Sequence, residues 1–79
     1  MVSVKILGSG CANCKRLESV VAKVIAARGI DAAIEKVTDY AHMMRWNILQ
    51  TPGLVINDTL VSAGRIPSES EIAAWLTQQ

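Results

Sequence analysis

The sequence has little of what several functional classes depend on. It holds two cysteines, one histidine and two prolines, and its formal net charge is only +1. So small a charge gives no electrostatic case for nucleic acid or for an anionic membrane surface. No apolar run approaches the roughly 20 residues that a membrane-spanning helix needs. The opening stretch, Met1-Val2-Ser3-Val4-Lys5-Ile6-Leu7, lacks the basic leader, apolar segment and cleavage site of a signal peptide. A cytoplasmic address without membrane insertion is therefore expected. Internal repeats, low-complexity tracts and linkers are missing, and 79 residues make one domain, 1–79. Two cysteines are too few for the multiply bridged scaffold of a small secreted protein. With a single histidine they also fall short of the four ligands of structural zinc.

What is present is a globular composition, with 51% hydrophobic and 19% charged residues. Val2 to Leu7 alternates as a strand, with Val2, Val4 and Ile6 on one face. A helix is predicted from near Cys11–Asn13 to Arg28, because Cys14, Leu17, Val20, Val21, Val24 and Ile25 recur at three- and four-residue spacing. Gly29 ends it. Ile30 to Val37 reads as a second strand with Ile30, Ala32 and Ile34 on one face, parallel to the first through a right-handed crossover. Thr38 or Asp39 caps a shorter helix to about Trp46, closed by Asn47; its Tyr40, Met43, Met44 and Trp46 are expected to cover the sheet. Leu54-Val55-Ile56 is a continuous apolar run, as in a strand covered on both faces. Asn57-Asp58 turns the chain into a return strand, Leu60 to Ala63. Ser68-Glu69-Ser70-Glu71 has the capping-box pattern, so a last helix runs from Glu69 to about Leu76, anchored by Trp75. The order is β-α-β-α-β-β-α.

The chemistry centres on Cys11 and Cys14. A bridge between residues this close constrains almost none of the chain, so a structural disulfide is the poorest explanation, and metal binding or redox chemistry remains. A thiol attacks a disulfide only as thiolate, and the first turn of a helix favours the anion through its unpaired N–H groups and dipole. Lys15 and Arg16 add charge of the helpful sign. Cys14 falls on the buried stripe and Cys11 does not. That asymmetry suits an attacking Cys11 and a resolving Cys14. The rival is a soft metal: Gly8-Ser9-Gly10-Cys11-Ala12-Asn13-Cys14 is similar to the loop of heavy-metal-associated domains, which bind copper(I) through two thiolates. Those domains resemble G-M-x-C-x-x-C and run β-α-β-β-α-β. Here Ser9 stands at the methionine position and the carboxyl terminus reads as helix.

Further residues carry a fuller resemblance. Lys5 through Lys15, Lys36-Val37-Thr38-Asp39, Thr51-Pro52, Leu54-Val55-Ile56-Asn57 and the closing helix are similar to the small thioredoxin/glutaredoxin-like "redox-active disulfide protein" family. The resemblance spans nearly the whole chain. It implies an α/β, thioredoxin-like fold with a four-stranded mixed sheet and helices on both faces. It also implies a cis Pro52 beside the cysteine pair, where base rates alone favour trans. Thr51 would then offer backbone hydrogen bonds to an extended substrate. Protein disulfides and a disulfide reductase, a flavoprotein, are the implied partners of a monomer; no cofactor is needed beyond the redox-active disulfide, and no metal.

The chain also departs from its larger relatives. Gly10 precedes the first cysteine and Ala12-Asn13 separate the pair, in place of the tryptophan and Gly-Pro of thioredoxins proper. The buried acid that those proteins carry on the preceding strand is absent, and Lys5 stands six residues before Cys11. A lysine there commonly snorkels to water, and a helix over that face would instead bring its ammonium near the cysteines. His42 reads as a surface or packing residue of the second helix rather than a catalytic one. Gly64 either makes a turn or brings backbone near the site. The Met- and Trp-bearing second helix would serve as a partner surface if exposed.

Overall fold

A computed structural model describes residues 1–8, 12–48 and 50–78, with the side chain of Tyr40 excepted. The expectations for Ser9, Gly10, Cys11 and the Tyr40 side chain lie outside these residues. The elements are β1 (Val2–Leu7), α1 (Ala12–Arg28), β2 (Ala32–Val37), α2 (Tyr40–Met43), β3 (Gly53–Ile56), β4 (Thr59–Ala63) and α3 (Glu69–Thr77). A single 3-10 turn, Met44–Trp46, extends α2. The sheet order is β2-β1-β3-β4, with β1 parallel to β2 and antiparallel to β3, and β3 antiparallel to β4.

The period-two pattern of β1 sorts its side chains onto two cores. Val4 and Ile6 join Leu54, Ile56 and the apolar faces of α1 and α3 in one buried cluster. Leu7 and Val55 point the other way and pack with Val37, Met43 and Ile48 under the α2 segment. Helices therefore cover both faces. β3 lies in the interior of the sheet, and all four of its residues are buried, as its unbroken apolar run predicts. In α1, Cys14, Leu17, Val21 and Val24 are buried, while Val20 and Ile25 flank them half-buried.

Two expectations are corrected, the start of β2 and the burial of Met44. β2 begins at Ala32 instead of Ile30, because Ile30 is used to close α1. Gly29 takes φ +60° and the Ile30 N–H donates to the Ile25 carbonyl at 3.1 Å, the long bond of a Schellman closure. Ile34 does not join the core: β2 is an edge strand, and this side chain is 36% exposed. Met44 is likewise exposed. Met43 and Trp46, three apart, take the inner side of the short helical segment, so Met44 faces outward.

The turns obey their local chemistry. The Asp39 carboxylate accepts from the Ala41 N–H at 2.9 Å and caps α2, and Asn47 ends the segment at φ 53°. Asn57 and Asp58, at φ 49° and 66°, make the doubly left-handed turn that suits the twist of a two-residue hairpin. At α3 the Ser68 hydroxyl accepts from the Glu71 N–H and the Glu71 carboxylate accepts from the Ser68 N–H, both at 3.2 Å. The capping box is complete.

Candidate active site

Three segments converge where β1 ends. Gly8 continues β1 and donates its N–H to the Val37 carbonyl of β2 at 3.0 Å. A Cβ built on Gly8 would collide with Cys14 Sγ, and would lie 3.3 Å from Cys14 Cβ and 3.9 Å from Thr51 Cβ. The strand end, the start of α1 and the loop before β3 thus meet with no space between them. Cys14 is 6% exposed and engaged in a disulfide. The other cysteine of the chain, Cys11, lies outside the described residues, as does Gly10.

Thr51 is exposed, whereas Pro52 is fully buried, and the peptide bond between them is cis. The Pro52 carbonyl accepts from the Gly64 N–H at 2.9 Å. Gly64 sits at φ +77°, a conformation that disfavours any side chain, and a Cβ there would run into Gln50. Gly64 therefore makes its turn and fixes the proline loop with the same residue. Ala12, Asn13, Lys15 and Arg16 are exposed on the first turns of α1, and the first turn carries no acidic residue.

Lys5 is placed elsewhere than Cys14. Its side chain is 21% exposed, its ammonium lies 3.4 Å from the Asp58 carboxylate, and it stands over the Trp46 ring at 5.8 Å. Trp46 in turn donates its indole N–H to the Asp58 carbonyl at 3.2 Å. Lys5 belongs to the α2 face of the sheet, and the hairpin tip supplies its counter-charge. It faces a groove of about 390 Å³ that it shares with Asp39, His42, Arg45 and Trp46, among others. His42 is exposed there, its Nδ1 3.5 Å from the Asp39 carboxylate, as a surface helical pair.

Two contributors escape a reading of the sequence. Gly8 looks like an ordinary loop residue, yet it meets the Cys14 sulfur directly. A smaller cavity, of about 130 Å³, opens beside Cys14 and is bordered by Glu18 and Lys36, which pair at 3.4 Å. The four-residue step from Cys14 to Glu18 is the one signal that could have flagged the carboxylate.

The mixed sheet, the helices on both faces and the approach of Thr51 to Cys14 define a thioredoxin-like fold. Malaria-parasite thioredoxin-2 superposes with a TM-score of 0.72 at 16% identity, over 100% of this chain and 84% of that one. The germline-specific thioredoxin Deadhead of Drosophila melanogaster gives 0.66 at 17% identity, over 98% and 79%. A family model described as a thioredoxin domain matches residues 2–77. A thioredoxin of Methanocaldococcus jannaschii is 42% identical over 72 residues, covering 91% of this chain and 83% of its own length. A thioredoxin of Methanothermobacter thermautotrophicus is 35% identical over 77 residues, covering 98% and 100%. The chain belongs to the thioredoxin-domain family, a family of thiol–disulfide oxidoreductases. Among the described residues, no helix is long and apolar enough to cross a membrane.

Proposed function

We propose that the chain, as one domain, exchanges electrons with protein disulfides through the Cys11–Cys14 couple. Cys11 is the nucleophile, and Cys14 resolves the mixed disulfide. The observation that carries this reading is Cys14 itself: buried, in a disulfide, and packed through Gly8 against the segment of Thr51. A sulfur shielded in this way suits the second step of exchange and not the first, since attack on a large substrate needs open approach.

Ala12, Asn13 and Lys15, exposed on the first turns of α1 beside Cys14, support the exchange together with Gly10, which precedes Cys11 in the sequence. Lys15 and Arg16 favour the Cys11 thiolate. Thr51 presents its backbone to an extended substrate segment, as a short β-augmentation, and Pro52 holds it in place. The protein works as a cytoplasmic monomer without a metal, and a flavoprotein reductase returns it to the dithiol. Lys5 supports the hairpin tip and takes no part in exchange.

Thiol alkylation across a series of redox buffers, with and without copper(I), tests this reading. It expects a reversible two-thiol couple and reduction of a model disulfide that requires both cysteines. Tight copper(I) binding without such turnover would overturn it in favour of metal carriage.

A further inference from the structure

A resolving thiol must lose its proton before it can attack. Cys14 is 6% exposed, so bulk water does not serve it freely. What adjoins it is the cavity of about 130 Å³ between α1 and the end of β2. The charged groups bordering that space are Lys15 and Glu18 from α1 and Lys36 from β2. β1 and its end contribute Ile6 and Gly8, neither of which titrates. Glu18 is the one carboxylate among the described lining residues. It follows Cys14 by one helical turn, so the two side chains share a face of α1. Its side chain is 34% exposed, and Lys36 Nζ lies 3.4 Å from its Oε2, anchoring the carboxylate across the gap from helix to strand. A single water needs only about 10–15 Å³ of such space, so the cavity that Cys14 and Glu18 both line has room for one.

We propose, on the dithiol reading above, that Glu18 is the proton acceptor for Cys14, positioned by Lys36. In the mixed disulfide, the Cys14 thiol passes its proton through that water to the Glu18 carboxylate. The Cys14 thiolate attacks the Cys11 sulfur; the Cys11–Cys14 bond forms and the bond from Cys11 to the substrate sulfur breaks. The departing substrate thiolate carries the electron pair away and takes a proton from Glu18 or from solvent. The protein dithiol loses two electrons and the substrate disulfide gains them.

One equivalent of 5,5′-dithiobis(2-nitrobenzoate) separates the two steps in the reduced protein. Attack by Cys11 releases the first thionitrobenzoate, and attack by Cys14 releases the second. Glu18→Gln should leave the first phase as it is and slow the second at neutral pH by about 10-fold or more. That is less than the roughly 10²–10⁴-fold of full general-base catalysis, because the thiolate route stays open. The pH profile gives the sharper readout. Wild-type release should be nearly flat between about pH 6 and 8, whereas the variant's should climb roughly tenfold per unit with the thiolate fraction. A second phase of wild-type rate and profile would overturn the role of Glu18 and leave the dithiol reading standing. Equal slowing of both phases would overturn it too, marking Glu18 as structural. A wild-type protein with no first phase would remove both readings.

Discussion

Gly8 and Cys14 touch so closely that the position of one dictates the size of the other. The backbone at Gly8 is not left-handed, so an alanine there meets no torsional objection. In an open site this exchange would stabilise by about 0.4–1 kcal/mol, by restricting the unfolded chain. Here the added methyl meets the Cys14 sulfur. Gly8→Ala should therefore destabilise the oxidised protein by about 1–3 kcal/mol, the usual cost of overpacking. Chemical denaturation would show it, and a gain in stability would refute the close approach.

The two cysteines should differ in what they trap. Cys14→Ser should hold substrates as mixed disulfides on Cys11, because the resolving thiol is gone. Cys11→Ser should hold few, because Cys14 is buried. Non-reducing gels after exposure to oxidised substrate proteins make the comparison. Equal trapping by both variants would reverse or dissolve the assignment of roles.

Acid should weaken α3 through one residue. Glu71 accepts hydrogen bonds from the Arg65 guanidinium, the nearer at 2.8 Å, and from the Ser68 N–H, and these hold its carboxyl at about 2, below its ordinary 4.5. A depressed carboxylate stabilises the fold above its unfolded value, and that contribution is lost as pH falls through the folded one. Glu71→Gln should thus lower the melting temperature at pH 6. The gap to wild type should close between about pH 4.5 and 2. A gap that stays constant across that window would show that the capping geometry, and not the charge, is responsible.

Ser62 offers a stabilising change. It lies in β4 at 8% exposure, and among the described residues its hydroxyl is the buried side-chain polar atom without a hydrogen-bond partner. An unsatisfied buried group costs about 1–3 kcal/mol. Ser62→Ala should recover roughly 1 kcal/mol of this, read as a higher denaturation midpoint at unchanged slope. A loss of stability would mean that the hydroxyl is bonded in solution.

Most of the architecture was legible because it follows from local rules. The stripe through Cys14, Leu17, Val21 and Val24, the apolar run at Leu54-Val55-Ile56, the Asn57-Asp58 turn and the Ser68–Glu71 box each declare themselves within a few residues. What stayed hidden depends on partners distant in sequence. The ion pair between Lys5 and Asp58 joins the middle of β1 to a hairpin tip that nothing near Lys5 announces. Ile34 fits a buried alternation, yet it sits on an edge strand, and the strand order belongs to the whole sheet. Gly8 is informative only once Cys14 and Thr51 are seen on either side of it.

The strand order also sets a sequence of events during synthesis. Both cysteines belong to the first β-α unit, whereas β3, which lies beside β1 and is preceded by Thr51 and Pro52, is made later. Chains emerge amino terminus first, so the thiols leave the ribosome before their lid exists. Until that strand docks, Cys14 lacks the Thr51 side of its packing, and Gly8 and its own helix adjoin it. Only a finished sheet makes the pair selective.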